Sequence, residues 1–302
     1  MRCRLAILAS VFALALLVLP GAAFGRANGA TGASASTHQA GVALRVTYVD
    51  VGQGDAIILR AGSWTGLIDG GAPGSDDAII AELAKSGAKR IDALVISHPH
   101  ADHIGGLLDV ISKYRPRLAV YAAAGDTATW KNVKNALADV GAKLKQVRSG
   151  AALAFGKLKA KVLSPASLSG DQNEDSVVIL LDAAERRFLF SGDLTGANEE
   201  AVGAVCARGP PLYVLKVAHH GSAYSTSNSF LAQTRPGFAV ICVGKNSYGH
   251  PSAETVARLK VHDARTYTTQ RNGTFTVTVD TDGKATWAFT GGQEPLAAGP
   301  QR

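Results

Sequence analysis

Between residues 97 and 106 the chain reads Ser-His-Pro-His-Ala-Asp-His-Ile-Gly-Gly, which places His98, His100, Asp102 and His103 within six positions, directly after the apolar run 93–96. A strand delivers the chain to a sheet edge, and a turn that follows it can bring several side chains to one point. His98 and His100, two apart, can serve one ion, and Asp102 and His103 a second. Imidazole and carboxylate donors suit zinc, manganese or iron better than a thiolate-seeking metal. A neutral scaffold has no reason to crowd so many ligating groups beside a buried strand.

Three later segments complete the ligand count, each where a strand should end. Phe-Leu-Phe-Ser-Gly-Asp over 188–193 closes an apolar stretch with Asp193, which could bridge two ions, since one carboxylate oxygen can reach both when they are about 3.5 to 4 Å apart. The run 214–222 ends in the doublet His219-His220. Consecutive residues of an extended chain face opposite ways, so His219 is the expected ligand and His220 supports it or donates a proton to the leaving group. His250, in Tyr-Gly-His-Pro-Ser before a helix that Ser252 could cap, is the last candidate. The expected sets are His98, His100, His219 and Asp193 for one ion, and Asp102, His103, His250 and Asp193 for the other. Two ions, Zn2+ or Mn2+, would acidify a shared water and stabilise charge on the attacked centre, so the implied chemistry is hydrolysis, with Asp102 and His220 as the catalytic candidates. His38, in a small polar stretch, and His262, in a helical one, have no ligand neighbours.

Elements that could position these groups follow from periodicity. Strands are expected over 43–49, 55–59, 65–69, 93–96 and 118–121, with helices over 76–86, 105–114 and 127–140. The second half repeats the theme: strands near 157–163, 176–182, 187–191, 212–217, 238–243, 265–268, 274–279 and 285–289, and helices over 197–206, 227–233 and 253–262. Two strand-rich halves, each with helices, predict an α/β fold of two packed sheets with helices outside, a four-layer αββα sandwich.

Of the 302 residues, 46% are hydrophobic and 18% charged, enough to bury one large core over 42–290. Residues 1–25 carry Arg2 and Arg4 ahead of the apolar stretch 5–19, then Pro20 and the small-residue end Ala-Phe-Gly, the pattern of a cleaved export signal or, alternatively, a membrane anchor. Residues 26–41 read as a flexible linker and 291–302 as a disordered tail. With a signal removed, no permanent membrane span is expected. The net charge of +7 suits a polyanionic partner, although no Lys/Arg-rich run stands out. Cys206 and Cys242 could form one disulfide in an oxidising compartment, and without a Cys-x-x-Cys pair a thiolate metal site is not expected.

The His-Pro-His-Ala-Asp-His turn, with Leu-Ile-Asp-Gly-Gly over 67–71 and Ser-Gly-Asp over 191–193, resembles the metallo-β-lactamase superfamily and its αββα sandwich. Within it, Asp-Val-Gly-Gln-Gly-Asp-Ala over 50–56, His-His-Gly-Ser over 219–222 and Tyr-Gly-His-Pro over 248–251 are similar to the hydrolase domain of the ComEC/Rec2 competence proteins, which take DNA across bacterial membranes. The resemblance implies that Asp69 orients the metal turn, that the loop 50–55 borders the active site, and that Asp50, Gln53, Asp55 and Ser222 support ligands or meet substrate. Glycines 52 and 54 would permit close approach, to a phosphate for example. At 173–176, Asp175 stands where an Asn is usual before Ser176. The expected activity is that of an exported, stand-alone phosphodiesterase or nuclease acting on extracellular or periplasmic DNA. A β-lactamase, a choline-phosphate esterase and a non-cleaving DNA-binding accessory are the alternatives.

Overall fold

The computed structural model describes residues 41–297. The expected signal (1–25) and nearly all of the linker lie outside them, as does the end of the tail. Strands β1 (Val42–Tyr48), β2 (Ile57–Ala61) and β3 (Trp64–Ile68) precede α1 (Asp76–Lys85), β4 (Ala93–Val95), α2 (Ala101–Ile104), α3 (Leu107–Tyr114), β5 (Leu118–Tyr121), α4 (Ala128–Asp139) and β6 (Lys143–Gln146). The second half runs β7 (Ala152–Phe155), β8 (Leu158–Ser164), β9 (Val178–Ala183), β10 (Arg186–Phe190), α5 (Gly196–Ala207), β11 (Val214–Lys216), α6 (Asn228–Thr234), β12 (Phe238–Ile241), α7 (Ala253–Val261), β13 (Arg265–Thr268), α8 (Thr269–Asn272), β14 (Phe275–Asp280) and β15 (Ala285–Phe289).

Two sheets result, ordered β15-β14-β1-β2-β3-β4-β5-β6 and β13-β12-β11-β10-β9-β8-β7. Their central strands are buried on both faces, so successive residues of one such strand enter different cores. Ile57 and Leu59 of β2 face the other sheet, with Ile179, Leu181, Phe188 and Phe190. Ile58 between them turns outward to the helices, where Ile79, Leu83, Val110, Trp130 and Val133 pack. On the second sheet, Leu180 and Leu189 likewise meet Val202 of α5, Phe230 of α6 and Leu259 of α7. Helix, sheet, sheet and helix form three cores and four layers, the architecture expected.

Two strands were not legible. β6, Lys-Leu-Lys-Gln, is exposed at every position, and in β7 only Leu153 and Phe155 are buried. Both are terminal strands of their sheets, where one flank has no partner to demand apolar residues. Residues 291–297 are not a free tail: Ala297 is buried and bridges Thr266 of β13, and Asn272 Nδ2 donates to the carbonyls of Gly292 (2.6 Å) and Glu294 (3.0 Å). Cys206 and Cys242 are both buried and unpaired, so the disulfide does not form.

The connectivity places the chemistry. Strands β3 to β6 run parallel in one sheet and β10 to β13 in the other. Asp69, the 97–103 turn, Asp193 and the His219-His220 doublet all follow the C-terminal ends of parallel strands, where α/β sheets form their ligand crevices.

Candidate metal centre

The metal turn is anchored from beneath. Asp69, fully buried, accepts from Ser97 N at 2.7 Å and Ser97 Oγ at 2.6 Å, and from His103 Nδ1 at 2.9 Å. A carboxylate can only accept, so His103 carries its proton on Nδ1 and leaves the Nε2 lone pair free. Ser97 spends its one hydroxyl proton on Asp69, so at 3.0 Å it accepts from His98 Nδ1, and His98 Nε2 is free as well. On the opposite sheet, His220 Nδ1 lies 2.8 Å from the Cys242 carbonyl, which fixes the same tautomer.

Three imidazoles therefore turn lone pairs inward on one carboxylate. Asp193 Oδ1 lies 3.2 Å from His103 Nε2, and Oδ2 lies 3.5 Å from His220 Nε2 and 3.8 Å from His98 Nε2. Asp193 Oδ1 is buried yet makes no hydrogen bond among the described residues. Lone pairs facing a carboxylate repel it unless positive charge lies between them. Without an ion that charge is a proton on Nε2: burial alone would lower His103 and His220, but Asp193 with Asp69 holds the first well above the ordinary imidazole range, and Asp193 with Asp102 raises the second, so a metal must displace these protons to use the lone pairs. Burial would raise Asp193, but the facing His103 and His220 hold it well below the ordinary carboxylate range. His98, buried and beside His103, is pushed well down, toward the neutral form that binds metal. His98, His103 and Asp193 form one group able to hold a cation, and Asp102, His103 and His220 another, so a divalent metal fits the donors present.

The remaining candidates fall into two groups. His100 Nδ1 is 2.9 Å from His98 Nε2, and Asp102 Oδ2 is 3.3 Å from His220 Nε2, so both join the cluster. His219 and His250 stand at the rim: His219 Nε2 is 3.8 Å from Asp193 Oδ2, and the rings of His219 and His250 are 5.4 Å apart. Both members of the doublet therefore face the site: His220 is buried in the cluster, and half-buried His219 approaches Asp193 Oδ2 from the rim at the same distance as His98. Alternation fails because both residues are left-handed (φ 50° and 52°), in a tight turn instead of an extended strand.

The loop 50–55 also differs in detail from expectation. Gln53 lines the cavity, but Asp50 shapes the turn, its Oδ1 accepting from Gly52 N at 3.2 Å. At Gly54 (φ 133°) a Cβ would lie 2.2 Å from the Asp102 carbonyl, so that glycine serves packing against the metal turn, not approach to a phosphate. Asp55 is buried behind the site, its Oδ1 3.5 Å from His220 Nδ1. Ser222 is buried and accepts from Tyr224 N at 3.3 Å, a turn contact. Ser176 Oγ accepts from Asp193 N at 3.1 Å, which holds the central carboxylate, while Asp175 Oδ1 accepts from Ser169 N at 2.7 Å and shapes its own loop.

Lys216 is the functional residue that sequence reasoning missed. Its ammonium is wholly buried, pairs with Asp55, donates to the Gly192 carbonyl at 2.9 Å and lies 3.8 Å from Asp193 Oδ1. A lysine inside the apolar run Val-Leu-Lys-Val was the available signal.

These groups floor an open cavity of about 380 Å³ walled by Gln53, Asn173, His219, Tyr248 and His250. A larger cavity, about 660 Å³, lies at the other end of the parallel strands, around Arg186, Tyr213 and Phe238, and holds none of the ligands.

Residues 49–245 match the model of the metallo-beta-lactamase superfamily. The chain belongs to that superfamily. It is 30% identical over 250 residues to ComE operon protein 3 of Bacillus subtilis, a match covering 76% of this chain and 32% of that protein. Competence protein ComA of Neisseria gonorrhoeae is also 30% identical, over 76% of this chain and 31% of its own length. The chain thus spans about a third of these curated relatives. Among solved structures, the metallo-beta-lactamase fold protein YhfI of Bacillus subtilis shares the fold with a TM-score of 0.51 at 12% identity, covering 81% of this chain and 99% of that one. CmlA, a diiron beta-hydroxylase from Streptomyces venezuelae, does so with a TM-score of 0.51 at 17% identity, over 72% and 50%. The chain is a metallo-beta-lactamase superfamily domain, homologous to competence proteins, with its candidate metal-binding residues brought together. No helix among the described residues is long and apolar enough to cross a membrane.

Proposed function

We propose that this chain is an exported phosphodiesterase, acting on DNA outside the cytoplasm in a secreted, periplasmic or cell-surface setting, with two divalent ions, Zn2+ or Mn2+. One observation carries the reading: His98, His103 and His220 converge on Asp193, His103 on its unpartnered Oδ1 and His98 and His220 on its Oδ2. In this assignment His98, His100 and Asp193 would hold one ion, and Asp102, His103 and His220 would hold the other. Such ions supply an acidified water and stabilise charge on the attacked and leaving oxygens.

The protein groups do the rest. Asp69, Ser97 and the Cys242 carbonyl fix the ligand tautomers, so no reorganisation is needed during reaction. His219 and His250 on the cavity wall are placed to protonate a departing oxygen, and Gln53 and Asn173 to hold substrate oxygens. The relative named for competence, together with the resemblance to proteins that take up DNA, favours a DNA phosphodiester over other esters.

Full-length protein supplied with Zn2+ or Mn2+ is expected to hydrolyse bis(p-nitrophenyl) phosphate and a labelled oligonucleotide, and Asp193→Asn to abolish both. Tight DNA binding with neither substrate cleaved would overturn the hydrolase reading, and turnover of nitrocefin alone would reassign it to β-lactams.

A further inference from the structure

The positive charge of this chain is concentrated in one place. Residues 131–161 contain eight lysines and arginines and a single acid, Asp139, a net charge of +7 equal to that of the whole chain, so the rest of the sequence is balanced. No run of basic residues marks this in the sequence, because the cations are spaced at the periods of the elements that carry them. Lys131 and Lys134 are three apart on the exposed face of α4, Lys143 and Lys145 two apart on β6, and Lys159 and Lys161 two apart on β8.

These elements adjoin at one edge of the sandwich, and their lysines fan around it from the outer face of α4, past β6, to the outer face of the second sheet at β8. β6 ends the first sheet, β7 ends the second with β8 beside it, and α4 connects β5 to β6. The six lysines are exposed, and none is within salt-bridge distance of an acid among the described residues. Arg148 in the β6–β7 connection is turned onto the backbone, toward the Ala122 (3.3 Å) and Val147 (2.8 Å) carbonyls. Asp182, the exposed acid on neighbouring β9, is occupied by Arg187 at 3.3 Å. In register with Lys159 and Lys161 on β7 stand Ala154 and Ala152, exposed and too short to screen the ammonium groups.

We propose that this side is a docking surface for nucleic acid, which it holds through the phosphate backbone. Unpaired lysines without neighbouring acids give up little on meeting phosphates and release the counterions condensed there. The surface is continuous with the catalytic cavity at two points. The loop after β8 carries Asn173 into the cavity wall, and Gly125, two residues before the α4 cap Thr127, lies so close to Pro99 of the metal turn that a Cβ would come within 3.0 Å. These two segments are the ones that would lead a strand bound along this edge toward the metal centre. Delivery rests on the phosphodiester reading of that centre; binding itself does not.

The test is fluorescence anisotropy of a labelled single-stranded oligonucleotide against salt, using the full chain. Lys143→Glu, Lys145→Glu, Lys159→Glu and Lys161→Glu are combined in one variant. A control reverses four exposed lysines elsewhere, Lys85, Lys89, Lys260 and Lys284, with the same change in net charge. The first is expected to weaken binding about ten-fold or more and to reduce the log–log salt slope by about 2 to 3, the control far less. Equal losses in both variants, or no loss in the first, overturn the proposal. So does a dependence on these lysines seen with phosphatidylglycerol vesicles but not with the oligonucleotide. Hydrolysis of bis(p-nitrophenyl) phosphate should be unchanged in the first variant, since that substrate is too small to need the surface. If no phosphodiester is cleaved but the lysines still govern binding, the docking surface stands and the hydrolase reading falls.

Discussion

Lys216 and Asp55 form an ion pair shut off from solvent directly behind the metal centre, linking β11 of one sheet to the loop before β2 of the other. The ammonium also touches the Gly192 carbonyl and faces Asp193, so it props the central carboxylate from behind. Removing one partner strands the other without solvent, and Lys216→Met is expected to lower unfolding free energy by about 3 to 5 kcal/mol. Adding Asp55→Leu should recover a large part of that loss, because the pair is then replaced by apolar groups. Urea denaturation of both variants checks this; a double variant no better than the single one would show that Lys216 acts through Gly192 and Asp193 alone.

The two histidines of the doublet should separate by metal content. His220→Ala is expected to lose about one equivalent of tightly bound ion, whereas His219→Ala keeps both and loses turnover. Mass spectrometry of the native protein, titrated with Zn2+, distinguishes them, and the opposite pattern would restore the order expected from strand alternation.

Gly54 tests how far the 50–55 loop governs the metal turn. Gly54→Ala puts a methyl against the Asp102 carbonyl in a backbone conformation that alanine rarely adopts, so a loss of about 1 to 3 kcal/mol is expected, with weaker metal binding. Gly52→Ala meets nothing within 4 Å and carries only the backbone strain of its φ of 70°, so its effect should be smaller. Thermal melts with and without metal compare the two.

Much of the layout was legible because it follows from burial. Strand segments buried on both faces must be apolar, which marked β4, β5, the Val-Ile-Leu-Leu run of β9 and the Phe-Leu-Phe run of β10, and helices beside them must carry one apolar stripe, which marked α3 and α4. The six-residue metal turn was legible because ligand types that close together have few other uses. What escaped depended on three-dimensional context. The left-handed turn at residues 219–220 brings both imidazoles toward Asp193 instead of sending them to opposite faces, and Asp55 reads as a loop residue until β11 supplies the ammonium that buries it. The docking lysines escaped for the same reason: their grouping belongs to the sheet edges, not to the order of the chain.

The two cysteines give a prediction independent of the metal. Cys206 sits in α5 against the second sheet, its thiol pushed up to about 11 chiefly by burial, and Cys242, at the end of β12, is raised well above the ordinary thiol range by burial and by Asp55. Both thiols should therefore stay protonated and unreactive at pH 8, where an exposed cysteine is partly thiolate. Ellman's reagent is expected to find no rapidly reacting thiol in the native described domain and both Cys206 and Cys242 after denaturation. A reductant should leave the melting temperature unchanged, since there is no cross-link to break. A melting temperature that falls on reduction would mean that α5 and β12 move together far enough to form the bridge, which would require the second helical layer to pack differently.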